Sequence, residues 1–294
     1  MTKFRIFQTV IMSLTIAPIR LFFFLLFTLL TYLLASLLSI GTRFDPDEPM
    51  SKFRYSLVVQ LKHLIRACLF CCGFHRILVR GRQSPEARVL PTAPHTVKYF
   101  DSFVQVAVDR EFPSFVSLTK YKSQPVLGAL LKVSQSVLVD HGSSKSRGGI
   151  LARVESRVKG RKWPQLVVYP EGHMTDGTAL IKFKKGAFAH ASPVQPVTIE
   201  YLNEWDTFRW SNLRPRNFKW ACWLALCQWQ TTCRVTFMPV YRPSEAEKAD
   251  WEVLAGNVQK MMAESLNVPI SECTAEDGWL MKKQINSSKI SNLN

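Results

Sequence analysis

The sequence predicts an α/β fold: a sheet flanked by helices, preceded by an N-terminal membrane helix or hairpin. Three observations predict it. Short apolar runs rich in β-branched residues recur at 77–79, 114–118, 137–139, 166–169, 197–201 and 235–240, with lengths that suit buried strands. Helix-patterned stretches lie between several of them, at 103–108, 126–133, 146–158 and 183–190, and strands alternating with helices specify a sheet with covered faces. Ahead of these, residues 21–40 form twenty residues without a charge, about the length a helix needs to cross a bilayer.

Taken in order, that first run follows Lys3 and Arg5, as a signal peptide would. It is longer than an h-region and lacks a small-x-small cleavage site, so it reads as a retained membrane helix or re-entrant hairpin. Arg20 and Arg43 flank it where snorkelling side chains sit. Residues 56–74 are interrupted by Lys62, His63 and Arg66 and read as an interfacial or domain-packed amphipathic helix with a basic side. A third apolar run, 220–229, is too short to span. Its Trp220, Trp223 and Trp229 suit a membrane–water interface, because an indole is apolar with one polar N–H. Near the C-terminus, Ser244 and Glu247 have the spacing of a capping box. Trp251, Leu254, Val258, Met261, Met262 and Leu266 then form a helical, core-facing stripe. Thr274 and Asp277 are placed to cap one last short helix. The organisation is therefore a membrane-associated segment over 1–75, one α/β domain over 76–283 and a polar tail over 284–294.

Charge narrows the partners. The chain holds 38 Lys+Arg against 22 Asp+Glu, a net charge of +16. Residues 1–240 carry 32 against 14, and residues 241–280 carry 3 against 8. A basic body beside a membrane segment fits anionic lipid surfaces or phosphate-bearing substrates. No nucleic-acid-binding motif accompanies the charge, so nucleic acid is not an expected partner. Seven cysteines without a paired framework fit a reducing compartment. Cys68, Cys71 and Cys72 lack partners at zinc spacing, so no metal is expected. Asn286 begins a glycosylation sequon that matters only if the tail is lumenal.

Two segments carry candidate chemistry. Residues 94–101 read Pro-His-Thr-Val-Lys-Tyr-Phe-Asp. A histidine takes a proton from an alcohol near neutral pH. A carboxylate on its other ring nitrogen fixes the tautomer and stabilises the imidazolium. His95 and Asp101 are thus a candidate base and its orienting acid. Downstream, Glu171 and Gly172 follow a Val-Val-Tyr-Pro run, at the carboxyl end of a strand where open α/β sheets bind ligands. Glycine there lets the backbone approach a ligand. Lys182, Lys184 and Lys185 are available to a phosphate or form a solvated face, and Pro193 and Pro196 rigidify entry to the next strand.

Together these residues resemble the glycerolipid acyltransferase family, and within it the lysophosphatidylcholine acyltransferase branch. The resemblance rests on 163–172 (Trp-Pro-Gln-Leu-Val-Val-Tyr-Pro-Glu-Gly), 183–188 (Phe-Lys-Lys-Gly-Ala-Phe), 193–197 (Pro-Val-Gln-Pro-Val), 237–240 and 262–266. It implies a glycerol-3-phosphate/lysophosphatidate acyltransferase-like mixed sheet flanked by helices. It also implies transfer of an acyl chain from acyl-CoA, as co-substrate and without another cofactor, to a lysophospholipid hydroxyl. Lysophosphatidylcholine is the first expected acceptor, with lysophosphatidate or lysophosphatidylethanolamine as alternatives, at a membrane that the resemblance makes the endoplasmic reticulum. His95 would be the general base and Asp101 its orienter. Glu171, Gly172, Lys184 and Pro196 would serve substrate binding. The sequence departs from the family at three places. Five residues, not four, separate His95 from Asp101; His173 stands where a small hydroxyl is usual; and Lys120 or Lys122 replaces the arginine of the second motif. A catalytically weakened, lipid-binding relative is the rival reading, and the geometry of the longer His95–Asp101 interval separates the two.

Overall fold

A computed structural model describes residues 2–140, 144–160, 162–203, 218–278, 280–281 and 284. The sequon at Asn286 and nearly all of the expected tail lie outside the described residues. Three helices lead the chain: α1 (Lys3–Leu14), α2 (Ile16–Leu38) and α3 (Lys52–Cys71). The α/β part follows as β1 (Arg76–Arg80), β2 (Val89–Ala93), α4 (Lys98–Val108), β3 (Ser114–Leu118), α5 (Pro125–Val133) and β4 (Val137–Val139). It continues through α6 (Ser144–Lys159), β5 (Leu166–Val168), β6 (Val197–Tyr201), α7 (Phe218–Leu226), β7 (Thr232–Phe237), α8 (Glu245–Ala249) and α9 (Trp251–Leu266).

The seven strands form one sheet in the order β1-β7-β6-β2-β5-β3-β4. Only β6 and β7 pair antiparallel; the other neighbours are parallel. The sheet is therefore mixed, as expected. Alternation along the strands sends side chains to two cores. Leu90 and Val167 join Leu61, Leu69, Val104 and Leu226 on the side of α3, α4 and α7. Val89, Leu166 and Val168 meet Val154, Val158, Leu254, Val258 and Met262 from α6 and α9 on the other. Central β2 is buried at every position. Its register pins Pro91 against Val168 of β5, so the residues leaving the two strands, around His95 and Glu171, emerge side by side.

Two local expectations are corrected, and one element is added. The helix expected over 183–190 is a single 3-10 turn, Lys185–Ala187. Phe183 and Phe188 both enter the core, with ring centroids 6.1 Å apart. A helix would turn residues five apart by about 140° and expel one of them. The last strand runs over Thr232–Phe237 rather than 235–240. Pro239 has no N–H for the ladder, and Cys233, Val235 and Phe237 alternate inward. Helix α1, capped by the Thr2 side chain, has no counterpart among the expected elements. The capping box at Ser244 and Glu247 is present, and the apolar stripe behind it is α9.

Helix α2 is long and apolar enough to cross a membrane by length and composition. One side packs on α3, α5 and α7, and the other leaves Phe22, Leu25, Leu29 and Leu33 exposed. Arg20 does not snorkel outward. Its guanidinium donates to the carbonyl of Leu226 (2.9 Å), the last residue of α7 and part of its negative dipole end, and to those of Gln228 and Trp229 (3.2 Å) in the turn that follows. Arg20→Ala is expected to leave these carbonyls without their charged donor and lower stability by about 2–3 kcal/mol. Thermal unfolding in detergent measures this, and Arg20→Lys should recover only part, because an ammonium cannot fork to three carbonyls.

Candidate active site

β2 ends at Ala93 and delivers His95 into a short turn ahead of α4. Asp101 lies in the first turn of α4 and is completely buried. Its Oδ2 lies 2.8 Å from His95 Nδ1 and accepts the backbone N–H groups of Thr96 and Val97, both at 2.9 Å. Its Oδ1 accepts the Tyr201 hydroxyl at 2.5 Å. The extra residue is absorbed here. Val97 stands at the N-cap and has no side-chain cap. Asp101 reaches back to cap the helix start in its place, and this folds Thr96 and Val97 over the carboxylate. The positive end of α4 favours the buried charge.

The ring of His95 stacks on Tyr169, with centroids 4.2 Å apart and planes inclined by 22°. Tyr169 pairs its hydroxyl with Ser102 at 3.1 Å. Burial pushes both Tyr169 and Tyr201 well above the usual phenol range, with the Asp101 charge adding to it. Both therefore stay protonated. Neither tyrosine was legible as a site residue in sequence. Their one signal was position, each closing an apolar strand run.

Glu171 is completely buried. Its Oε2 accepts the His95 backbone N–H at 2.9 Å; its Oε1 accepts the Ile181 N–H at 3.4 Å and the Thr175 hydroxyl at 3.5 Å. It holds the histidine loop to the end of β5 and does not line the cavity described below. Burial raises its pKa from 4.5 to about 7, against the opposing hydrogen bonds to the His95 and Ile181 backbone. The native state thus binds this proton more tightly than the unfolded chain. The resulting stabilisation is fully present below the unfolded pKa of 4.5 and lost as pH rises to about 7. At about 1.4 kcal/mol per pKa unit, the loss is roughly 3 kcal/mol. Glu171→Gln, a neutral mimic, is expected to match wild type near pH 5 and to melt higher near pH 8. Thermal unfolding across that range checks it, and a difference independent of pH contradicts it.

Gly172 follows with φ of +62°, a left-handed conformation that suits glycine. A Cβ at this position would stand 2.8 Å from Cδ of Lys184. Lys184 therefore arches over Gly172, and its amine pairs with Glu276 at 2.7 Å. Lys182 pairs with Glu252 at 3.6 Å, and Lys185 lies over the Trp251 ring. Pro196 is buried at the entry to β6 and does not line the cavity. Its carbonyl accepts the Met238 N–H at 3.0 Å, so it sits at the other end of the strand from Tyr201.

A cavity of about 360 Å³ opens beside His95. Gly172, His173 and Lys120 line it near the histidine-bearing loops, and Phe103, Phe112 and Leu130 give it apolar walls. Lys120 is thus the lysine of the second motif that reaches the cavity, whereas Lys122 lies over the Phe44 ring at 4.9 Å. Among the described residues, no cluster of side chains is arranged to hold a metal ion.

Residues 76–200 match the family model described as Acyltransferase. Residues 76–200 are thus similar to an acyltransferase domain. The matched segment contains His95, Asp101, Glu171, Gly172, Lys184 and Pro196, and Tyr201 stands one residue beyond the match. The chain is 38% identical over 274 residues to mouse lysophosphatidylcholine acyltransferase 1, covering 92% of this chain and 50% of that protein. It is 38% identical over 264 residues to human lysophospholipid acyltransferase LPCAT4, covering 88% and 49%. It is 36% identical over 278 residues to rat lysophosphatidylcholine acyltransferase 2, covering 93% and 50%. The chain therefore spans about half the length of the curated relatives it matches. The crystal structure of the 1-acyl-sn-glycerophosphate (LPA) acyltransferase PlsC from Thermotoga maritima aligns with a TM-score of 0.49 at 16% identity, covering 86% of this chain and 100% of that one.

Proposed function

We propose that this acyltransferase domain transfers an acyl chain from acyl-CoA to the free hydroxyl of a lysophospholipid, with lysophosphatidylcholine as the preferred acceptor, at the endoplasmic reticulum membrane. The observation that carries the proposal is the His95 Nδ1–Asp101 Oδ2 distance of 2.8 Å beside an apolar cavity. With Nδ1 committed to Asp101, Nε2 is the nitrogen left for substrate.

In the proposed reaction, Nε2 takes the acceptor hydroxyl proton as the oxygen attacks the thioester carbon. The new C–O bond forms, the C–S bond breaks, and the departing thiolate takes the proton back from the imidazolium. Asp101 stabilises the imidazolium between these steps, and its other hydrogen bonds hold it still. Glu171 serves as a positioning residue, acting on His95 through the backbone. The donor acyl chain occupies the His95 cavity. Lys120 meets the acceptor phosphate as a point charge. Lys184 joins it by exchanging Glu276, which costs little because a half-exposed pair contributes under about 1 kcal/mol. The 2.8 Å contact supports turnover over the lipid-binding pseudoenzyme reading.

Purified protein offered palmitoyl-CoA and a panel of lysophosphatidylcholine, lysophosphatidylethanolamine and lysophosphatidate tests the proposal. The expected outcome is diacyl product with lysophosphatidylcholine used best. Absence of transfer to every acceptor overturns it, and a different favoured headgroup overturns the choice of acceptor.

A further inference from the structure

A second cavity, of about 380 Å³, is lined by residues of α2, α3, α4 and α5. It shares a wall with the His95 cavity, because Ile65, Phe103, Leu127 and Leu130 line both. Phe24, Thr28 and Thr31 line it along α2. The threonine hydroxyls do not make this lining polar. Thr31 donates back to the Phe27 carbonyl at 2.7 Å, and Thr28 meets the Cys68 thiol at 3.8 Å. The chamber therefore presents hydrocarbon, with Gln124 as its one amide.

Its position gives it a use. Acyl transfer to a lysophospholipid brings two long hydrocarbon chains to one histidine, so two apolar beds must converge there. These two cavities converge across four shared residues. The second is walled by the inner side of α2, whose outer side is the exposed apolar surface of the candidate membrane helix. A lipid in the bilayer around α2 has one helix to pass to reach this chamber, whereas acyl-CoA arrives from water. We propose that the chamber between α2, α3 and α5 binds the resident acyl chain of the lysophospholipid acceptor, while the donor chain lies in the His95 cavity. The inference rests on the acyltransferase reading above and assigns the acceptor chain its own place.

The test uses the full wild-type chain in phosphatidylcholine nanodiscs with a lysophosphatidylcholine carrying a diazirine near the end of its chain. Irradiation is expected to label Phe24, Thr28, Thr31 and Val126, and excess unlabelled palmitoyl lysophosphatidylcholine should compete the label away. Labelling of Phe112 and Phe115 in the His95 cavity overturns the assignment. So does label confined to the outer α2 residues Phe22 and Leu25, or label that excess acceptor does not displace. This measurement needs no turnover, so it stands even where the acyltransferase reading fails. In a second arm, Val126→Trp fills the chamber from α5 without altering the shared wall. It is expected to raise the ratio of KM for palmitoyl over hexanoyl acceptors by about tenfold, the loss of roughly two buried methylenes. A shift in donor chain preference instead, or no shift in either, overturns the proposal.

Discussion

His95→Ala is expected to lower the rate of acyl transfer by about 10³-fold, the contribution of a positioned general base. The size of the effect follows from the commitment of the surrounding groups. Asp101 is the nearest carboxylate, but Thr96, Val97 and Tyr201 occupy it, so it cannot act as the base. Glu171 is turned inward, towards backbone N–H groups. The loss should fall on kcat with acceptor KM little changed, because the base acts on a proton in flight rather than on the bound ground state. Steady-state kinetics in both substrates checks the division. The fold should persist, since the Glu171 anchor holds the residue 95 backbone and not the imidazole.

Asp101→Asn is expected to cost on the order of 10³-fold in kcat, again with KM little changed. An asparagine oxygen can still accept the Thr96 and Val97 N–H groups, so the helix start keeps its cap. The negative charge that stabilises the imidazolium is lost in either amide orientation. The NH2 group is held on the Tyr201 side, because turned towards His95 it would face the Thr96 and Val97 N–H groups. Transfer rates with a parallel thermal melt separate this from unfolding. A fall in rate with an intact melt is the expected pattern, and near-wild-type turnover contradicts the role of Asp101.

Much of the architecture was legible because buried strands in a parallel sheet leave continuous apolar runs. Those at 114–118, 137–139 and 197–201 are strands at those limits. Errors arose where two structures share a pattern. The Phe183–Phe188 segment looks helical in composition, yet both rings are needed in one core. The candidate site could be proposed from its residue types and their order along the chain. Its geometry could not be, because the His95–Asp101 interval has meaning only once a turn is known to precede α4. Sequence could not show that Asp101 caps its own helix, that Tyr169 and Tyr201 brace the pair, or that Pro196 stands away from it. Those facts depend on which strands are neighbours: β2 lies between β5 and β6, so residues more than seventy positions apart meet at one edge. The role of Arg20 was hidden similarly, since its partners lie at the end of α7, over two hundred residues away.

The central claim is that the longer interval still makes a working base. Its most direct test is release of free CoA thiol by wild type and His95→Ala, each with and without lysophosphatidylcholine. The account predicts acceptor-dependent thiol release by wild type, matched one for one by new ester, and about 10³-fold less from His95→Ala. Equal release by the two proteins, or none from wild type in the presence of acceptor, would contradict it.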